Sequence, residues 1–230
     1  SPYKFDAIPA EILGQVYEQF LGKVIRLTEN HHAKVEEKPE VRKAGGVYYT
    51  PTYIVEYIVK NTIGKLVEGK SPKDIATLSI LDPACGSGSF LIGAYQYLMD
   101  WYGDWYVAHD VQKYKKAGVV YHDADGVWQL TLAERRRILL AHIYGVDIDR
   151  QAVEVAKLSL MLKALGASEQ RELWERRILP DLSSNIKCGN SLIGTDYFSG
   201  QMMTDPAEMA RINPFDWDGA DGFQEIMKRG

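Results

Sequence analysis

The sequence predicts an α/β fold, preceded by a helical segment. Three stretches predict it. Leu78-Ser79-Ile80-Leu81 is a short apolar run of the kind a buried strand shows, and Asp82-Pro83-Ala84-Cys85-Gly86-Ser87-Gly88-Ser89 turns from it into the apolar segment Phe90 to Tyr102. Ile143 to Asp147 reads as a second buried strand, ends in an acid and runs into a helix. Asn185 to Leu192 supplies a third short strand with a glycine turn. Strands that alternate with helical patterns build parallel sheets. With 46% hydrophobic and 25% charged residues, the chain has the composition of a globular core.

Taken in order, Pro9 to Leu27 reads as a helix. Pro9 suits a first turn, and Ile12, Leu13, Val16, Phe20, Val24 and Leu27 recur at helical spacing. His31 to Gly46 is charged, holds Pro39 and ends in two glycines, the composition of a linker. Residues 1–46 are therefore expected to form an N-terminal helical segment and linker, and residues 47–230 one α/β domain. Thr50 is placed to cap a helix whose first residue is Pro51, running through Tyr53, Ile54, Tyr57, Ile58 and Leu66 with Gly69 as its end.

Strand, glycine turn and helix bring backbone N–H groups against a nucleotide-like ligand. The same residues also make a tight turn that holds no ligand. Ser87 or Ser89 is placed to cap the helix. Leu91 stands where a dinucleotide fingerprint carries a third small residue, so that fingerprint is incomplete.

Val119 to Leu130 reads as a hairpin around Asp123-Ala124-Asp125-Gly126. It contains half of a calcium loop and lacks the remaining ligands. Thr131-Leu132-Ala133-Glu134 is a capping box, and the three arginines after it read first as a solvated helix face. Asp149 caps the next helix, where Val153, Ala156, Leu160 and Ala164 share a face, with Gly166 as its stop. An acid in the position of Asp147 accepts hydrogen bonds from both hydroxyls of a ribose; a plain turn residue also stands there. Asn190-Ser191 after Gly189 is ordinary turn chemistry as well as a place for an amide to meet a base.

Composition excludes several classes. The net charge is −4, which is not the footprint of a complete nucleic-acid-binding protein. The two cysteines exclude a disulfide scaffold, and no Cys/His cluster has zinc spacing. No apolar run reaches the roughly 20 residues of a membrane span, and no basic-then-apolar signal pattern opens the sequence. A reducing, cytoplasmic setting is expected, with no metal and no membrane partner.

Asp82-Pro83-Ala84-Cys85-Gly86-Ser87-Gly88-Ser89-Phe90 resembles the cofactor loop of S-adenosylmethionine-dependent DNA amino-methyltransferases, Asp/Asn-Pro-Ala-Cys-Gly-x-Gly-x-Phe. Tyr49-Thr50-Pro51 about thirty residues earlier, Gly145-Val146-Asp147-Ile148-Asp149 and Gly189-Asn190-Ser191-Leu192 match further motifs of that family in order. The order resembles the adenine-N6 branch, especially fused restriction–modification enzymes of type IIG. The resemblance implies a Rossmann-like methyltransferase fold, incomplete at its C-terminus. It implies that S-adenosyl-L-methionine is the cofactor, bound by Tyr49, Thr50, Pro51, Asp82, Pro83, Ala84, Gly86, Gly88, Phe90, Asp147, Ile148 and Asn190. Thr50 then lies near the cofactor carboxylate and Asn190 against its adenine. The implied reaction is methyl transfer to an exocyclic base amine.

The family's catalytic Asp/Asn-Pro-Pro-Tyr/Phe is absent. Asn213-Pro214-Phe215-Asp216 lacks the second proline, and no buried strand leads into it. The expectation is a piece of a longer enzyme that carries cofactor binding and meets double-stranded DNA through regions outside this chain. Cys85 follows Ala84 rather than a proline, unlike the nucleophile of cytosine-C5 enzymes. The cofactor motifs do not read the substrate, so methyltransferases acting on RNA, protein or small molecules share them, as does a non-catalytic cofactor-binding module.

Overall fold

The computed structural model describes residues 12–14, 16–17, 23–28, 32–37, 50–165, 180–199 and 205–228. The fold is mixed α/β. Three parallel strands form its centre, in the order β3 (Ile80–Asp82), β6 (Ile143–Asp147), β7 (Ile186–Cys188). Asp82 is level with Gly145, and Asp147 with Cys188. All three strands deliver their carboxyl ends to one edge.

Side chains alternate across this sheet, as its period of two requires. Ile80, Ile143 and Ile186 belong to the main core, formed with α3 (Ser89–Ala108), α5 (Leu132–His142) and α6 (Arg150–Leu165). Leu81, Tyr144 and Val146 belong to a second cluster with Phe215, Trp217 and Phe223. The sheet is thus sandwiched between helices and the chain's last described residues. That second layer includes the Asn213-Pro214-Phe215 stretch. Phe215 is buried, its N–H donates to Ile193 O at 2.9 Å, and Pro214 bridges Asn190 in parallel fashion. As its sequence suggests, no strand leads into it; α7 (Pro206–Ile212) does.

Helix α3 is the central packing element. Leu91, Ile92, Ala94, Tyr95, Leu98, Met99, Tyr102 and Tyr106 are all buried along it. Burying each large apolar side chain contributes about 1.5–3 kcal/mol. Its C-terminal end meets α4 (Val111–Lys116) and the hairpin of β4 (Val120–His122) and β5 (Trp128–Leu130). The Asp123 carboxylate there accepts from the N–H groups of Asp125 and Val127, which is turn chemistry. Among the described residues no group of three or more metal-ligating side chains converges. None of the described helices is long and apolar enough to cross a membrane.

Several local expectations are corrected. Residues 12–14 and 16–17 are helical, but Lys23–Leu27 is strand β1, paired antiparallel with β2 (Ala33–Glu37). The β-branched Val24-Ile25 pair favours a strand, and Thr28 and His32 close the turn through hydrogen bonds in both directions. The expected linker therefore starts as a strand, and residues 38–46 lie outside the described residues.

The helix expected after Thr50 begins one residue later, with Pro51 as its N-cap and no side-chain cap. It also breaks at Thr62, whose hydroxyl donates to Ile58 O, giving α1 (Thr52–Asn61) and α2 (Ile63–Val67). Its packed face is Val55, Val59, Ile63 and Val67; Tyr53 and Tyr57 are exposed. Neither Ser87 nor Ser89 caps α3. Gly88 does, at φ +90°, with no side-chain bond. Thr131 caps α5 as expected, but Glu134 does not close the box. It turns inward to accept from the Tyr106 hydroxyl and the Arg137 guanidinium, and Arg137 also lies over the Tyr102 ring. Gly166 lies outside the described residues.

Candidate functional site

The site sits at the carboxyl edge of the sheet. Asp147 ends β6, and its two carboxylate oxygens hold two backbone turns. Oδ2 accepts from the Gly86 N–H at 2.8 Å, and Oδ1 accepts from the Asp149 N–H at 2.9 Å. The first bond closes the glycine loop onto the acid across 61 positions of sequence. Below the loop, Cys85 N–H donates to Val146 O and Gly189 N–H donates to Asp147 O. The three strand ends are thereby laced together around Asp147.

The glycines have distinct reasons. Gly86 has φ +52° and Gly88 φ +90°, a region that side chains disfavour. A Cβ at Gly88 would stand 3.1 Å from the Ala156 Cβ, so that residue also lets α3 meet α6. Gly145 is a glycine because a Cβ there would press on Leu91 and Cys85, which underlie the loop.

The edge is electronegative. Asp82 ends β3 and accepts from the Ala84 N–H at 3.0 Å. Burial raises the Asp82 carboxyl above the usual carboxylate range, and the neighbouring Asp147 charge adds to that. Burial also pushes the Cys85 thiol far up, with both carboxylates contributing. A buried thiol kept protonated is a poor nucleophile.

Asn190 lies one strand over, just beyond β7. Its N–H donates to Asn213 O at 2.6 Å, and its Oδ1 accepts from the Leu192 N–H at 3.1 Å. Ile148, between the two aspartates, is 53% exposed. Pro83 and Ala84 are exposed, whereas Phe90 packs toward the main core. The starts of α1 and α3 meet in one cleft of about 370 Å³, lined by Thr52, Val55, Ser89 and Gly93 among others. Thr50 and Pro51 stand immediately before this cleft; Tyr49 lies outside the described residues. A larger cleft of about 590 Å³ flanks the edge beside Arg150, Cys188 and Phe215.

Thus the structure joins Asp82, Ala84, Gly86 and Asp147 through bonds and charge, and sets Asn190 and Ile148 beside them. One further side chain reaches the same place. The Tyr17 hydroxyl donates to Asp149 Oδ2 at 3.4 Å, across 132 positions of sequence. Helical spacing in Pro9–Leu27 carries no signal for a contact so remote.

Residues 63–204 match the family described as MmeI, DNA-methyltransferase domain. The chain is 35% identical over 217 residues to the type II restriction enzyme and methyltransferase RM.Eco57I of Escherichia coli, covering 94% of this chain and 20% of that protein. It is 31% identical over 222 residues to a putative type II restriction enzyme and methyltransferase, RM.MjaORFECS2P, of Methanocaldococcus jannaschii, covering 80% of this chain and 16% of that one. It is 29% identical over 161 residues to the adenine-specific methyltransferase PglX of Streptomyces coelicolor, covering 70% and 11%. The chain thus spans a fifth or less of the length of these curated relatives.

Proposed function

The chain belongs to the MmeI DNA-methyltransferase domain family, and from that premise we propose that it is the cofactor-binding part of an S-adenosylmethionine-dependent, adenine-N6 DNA methyltransferase of a restriction–modification system. The observation that carries the reading is the Gly86–Asp147 closure at the carboxyl edge of a parallel sheet. Ligands of open α/β sheets bind at that edge. A Rossmann-like arrangement, with residues 47–230 as its domain, is part of the proposal.

The donor set fits this cofactor. The Asp147 charge repels the neighbouring Asp82 carboxylate and adds to its cost of ionising. A ligand that carries a sulfonium and an ammonium relieves that repulsion. Each Asp147 oxygen spends one lone pair on backbone and keeps another for a ribose hydroxyl. The Asn190 amide matches the donor and acceptor edge of adenine. Thr50 and Pro51 close the methionine end, and Pro83, Ala84 and Phe90 shape the loop.

When bound, the cofactor supplies an already activated methyl group. The protein's contribution is to position it against an amine of a base taken out of the duplex. Asn-Pro-Pro-Tyr/Phe does not occur in the sequence. The proposal therefore gives these residues cofactor binding and not the holding of the base; the DNA is met through regions beyond them.

The test is calorimetric titration with S-adenosylmethionine. Asp147→Asn keeps the size of the side chain and removes its charge. Losing hydrogen bonds to a charged group costs about 1.5–3 kcal/mol, roughly ten- to a hundredfold in affinity. A folded wild-type chain without affinity, or an Asp147→Asn variant with unchanged affinity, would refute the assignment.

A further inference from the structure

We infer that Tyr17 is a cofactor-binding residue, an aromatic wall that the N-terminal segment contributes to the nucleoside end of the site. The inference rests on the proposed cofactor site and names a residue outside the family motifs. Three observations carry it.

The first is placement. Asp149 uses Oδ1 to cap α6 through the Gln151 N–H, and its Oδ2 takes the Tyr17 hydroxyl. Asp149 is in turn held by its own N–H on Asp147. The phenol is therefore tied, through one fixed acceptor, to the acid proposed to hold the ribose.

The second is packing. Tyr17 and Leu13 are half-buried and Gly14 is buried, so this helical turn is seated and not merely adjacent. The third is chemistry. Burial and the charges of Asp149 and Asp147 push the Tyr17 hydroxyl well above its ordinary range, so it stays a neutral donor at any working pH. Between the two aspartates Ile148 presents an apolar side chain to solvent. A ribose held on Asp147 delivers its purine to this rim, where an aliphatic and an aromatic side chain suit a flat heteroaromatic ring.

The experiment is titration of the wild-type chain, Tyr17→Ala, Tyr17→Phe and Asp147→Asn with S-adenosylmethionine, with Tyr57→Ala as control for an exposed tyrosine outside the site. Removing an aromatic partner of a base typically costs about tenfold in affinity. Tyr17→Ala is expected to weaken binding to that extent, Tyr17→Phe by a few-fold, and Tyr57→Ala not at all. If Tyr17→Ala binds as wild type while Asp147→Asn does not, the inference falls and the site stands. If the wild-type chain shows no affinity, both fall.

A second readout needs no folded variant. Hydroxyl-radical labelling of wild-type tyrosine rings, which does not depend on ionisation of the phenol, is followed by peptide mass with and without S-adenosylmethionine. Saturating cofactor is expected to slow modification of Tyr17 several-fold and leave Tyr57 unchanged. Equal Tyr17 rates with and without cofactor would overturn the inference, and so would an increase in affinity on replacing Tyr17 with alanine, since the ring would then be an obstruction.

Discussion

Replacing Gly88 by alanine separates two reasons for a glycine in the loop. Gly88 is buried, has φ +90° and caps α3. A left-handed conformation costs an L-residue about 1–2 kcal/mol. The new methyl group would also stand 3.1 Å from the Ala156 Cβ and 3.3 Å from its Cα. Both belong to α6, so neither yields as a flexible side-chain tip does. Overpacking of that kind costs about 1–3 kcal/mol. The two add to about 2–5 kcal/mol. Gly118 supplies a matched control, because it has φ +71° and a Cβ there meets nothing within 4 Å. Gly118→Ala should therefore lose only the conformational part. The assay is urea unfolding at neutral pH, comparing midpoints at constant slope. With a slope of about 2 kcal/mol/M, Gly88→Ala shifts the midpoint down by about 1–2.5 M. Adding Ala156→Gly removes the Cβ contact, and with the Ala156→Gly single variant to account for a glycine inside α6, the double-mutant cycle should return part of the packing cost as a favourable coupling. If Gly88→Ala costs no more than Gly118→Ala, helix contact is not what excludes a side chain, and the reasoning fails.

His142 is buried and kept neutral, since burial lowers its pKa; Nδ1 lies 2.7 Å from Leu78 O and Nε2 2.9 Å from the Tyr102 hydroxyl. The unfolded imidazole takes up a proton below about pH 6.5 while the folded one resists. Stability is thus fully present above that pH and falls below it, by up to about 1.4 kcal/mol per pH unit, until the folded group titrates. Urea unfolding between pH 7.5 and 5.5 should show this slope in the wild type and its loss in His142→Gln; identical slopes would count against a neutral buried ring. The two cysteines give a simpler check. Cys188 is half-buried, and Cys85 is buried with its thiol pushed up. Iodoacetamide should modify Cys188 well before Cys85 in the native protein, as read by peptide mass, and equal rates would contradict the packing beneath the loop.

Much of this was legible in the sequence because it is local. Short apolar stretches marked β3, β6 and β7, and the glycine turn, Asp149 and Thr131 marked the helix starts, since strand, turn and cap signals lie within a few residues of what they organise. Tertiary structure decided the rest. A hydrophobic spacing in Pro9–Leu27 gave way to strand β1, because helical periodicity over a short apolar run does not exclude a strand that finds a partner. The tyrosines of α1 point to solvent because the face that meets α3 is chosen by the small and β-branched residues that allow close approach, Val55 against Gly93. Asn213-Pro214-Phe215 has no strand signal, yet it covers one sheet face because Gly189 leaves room for Phe215. Sequence alone identified the acids and glycines of the candidate site. Only the fold brought Gly86 onto Asp147, 61 positions away, and Tyr17 onto Asp149, 132 positions away, because contacts at such separations are set by packing of the whole chain.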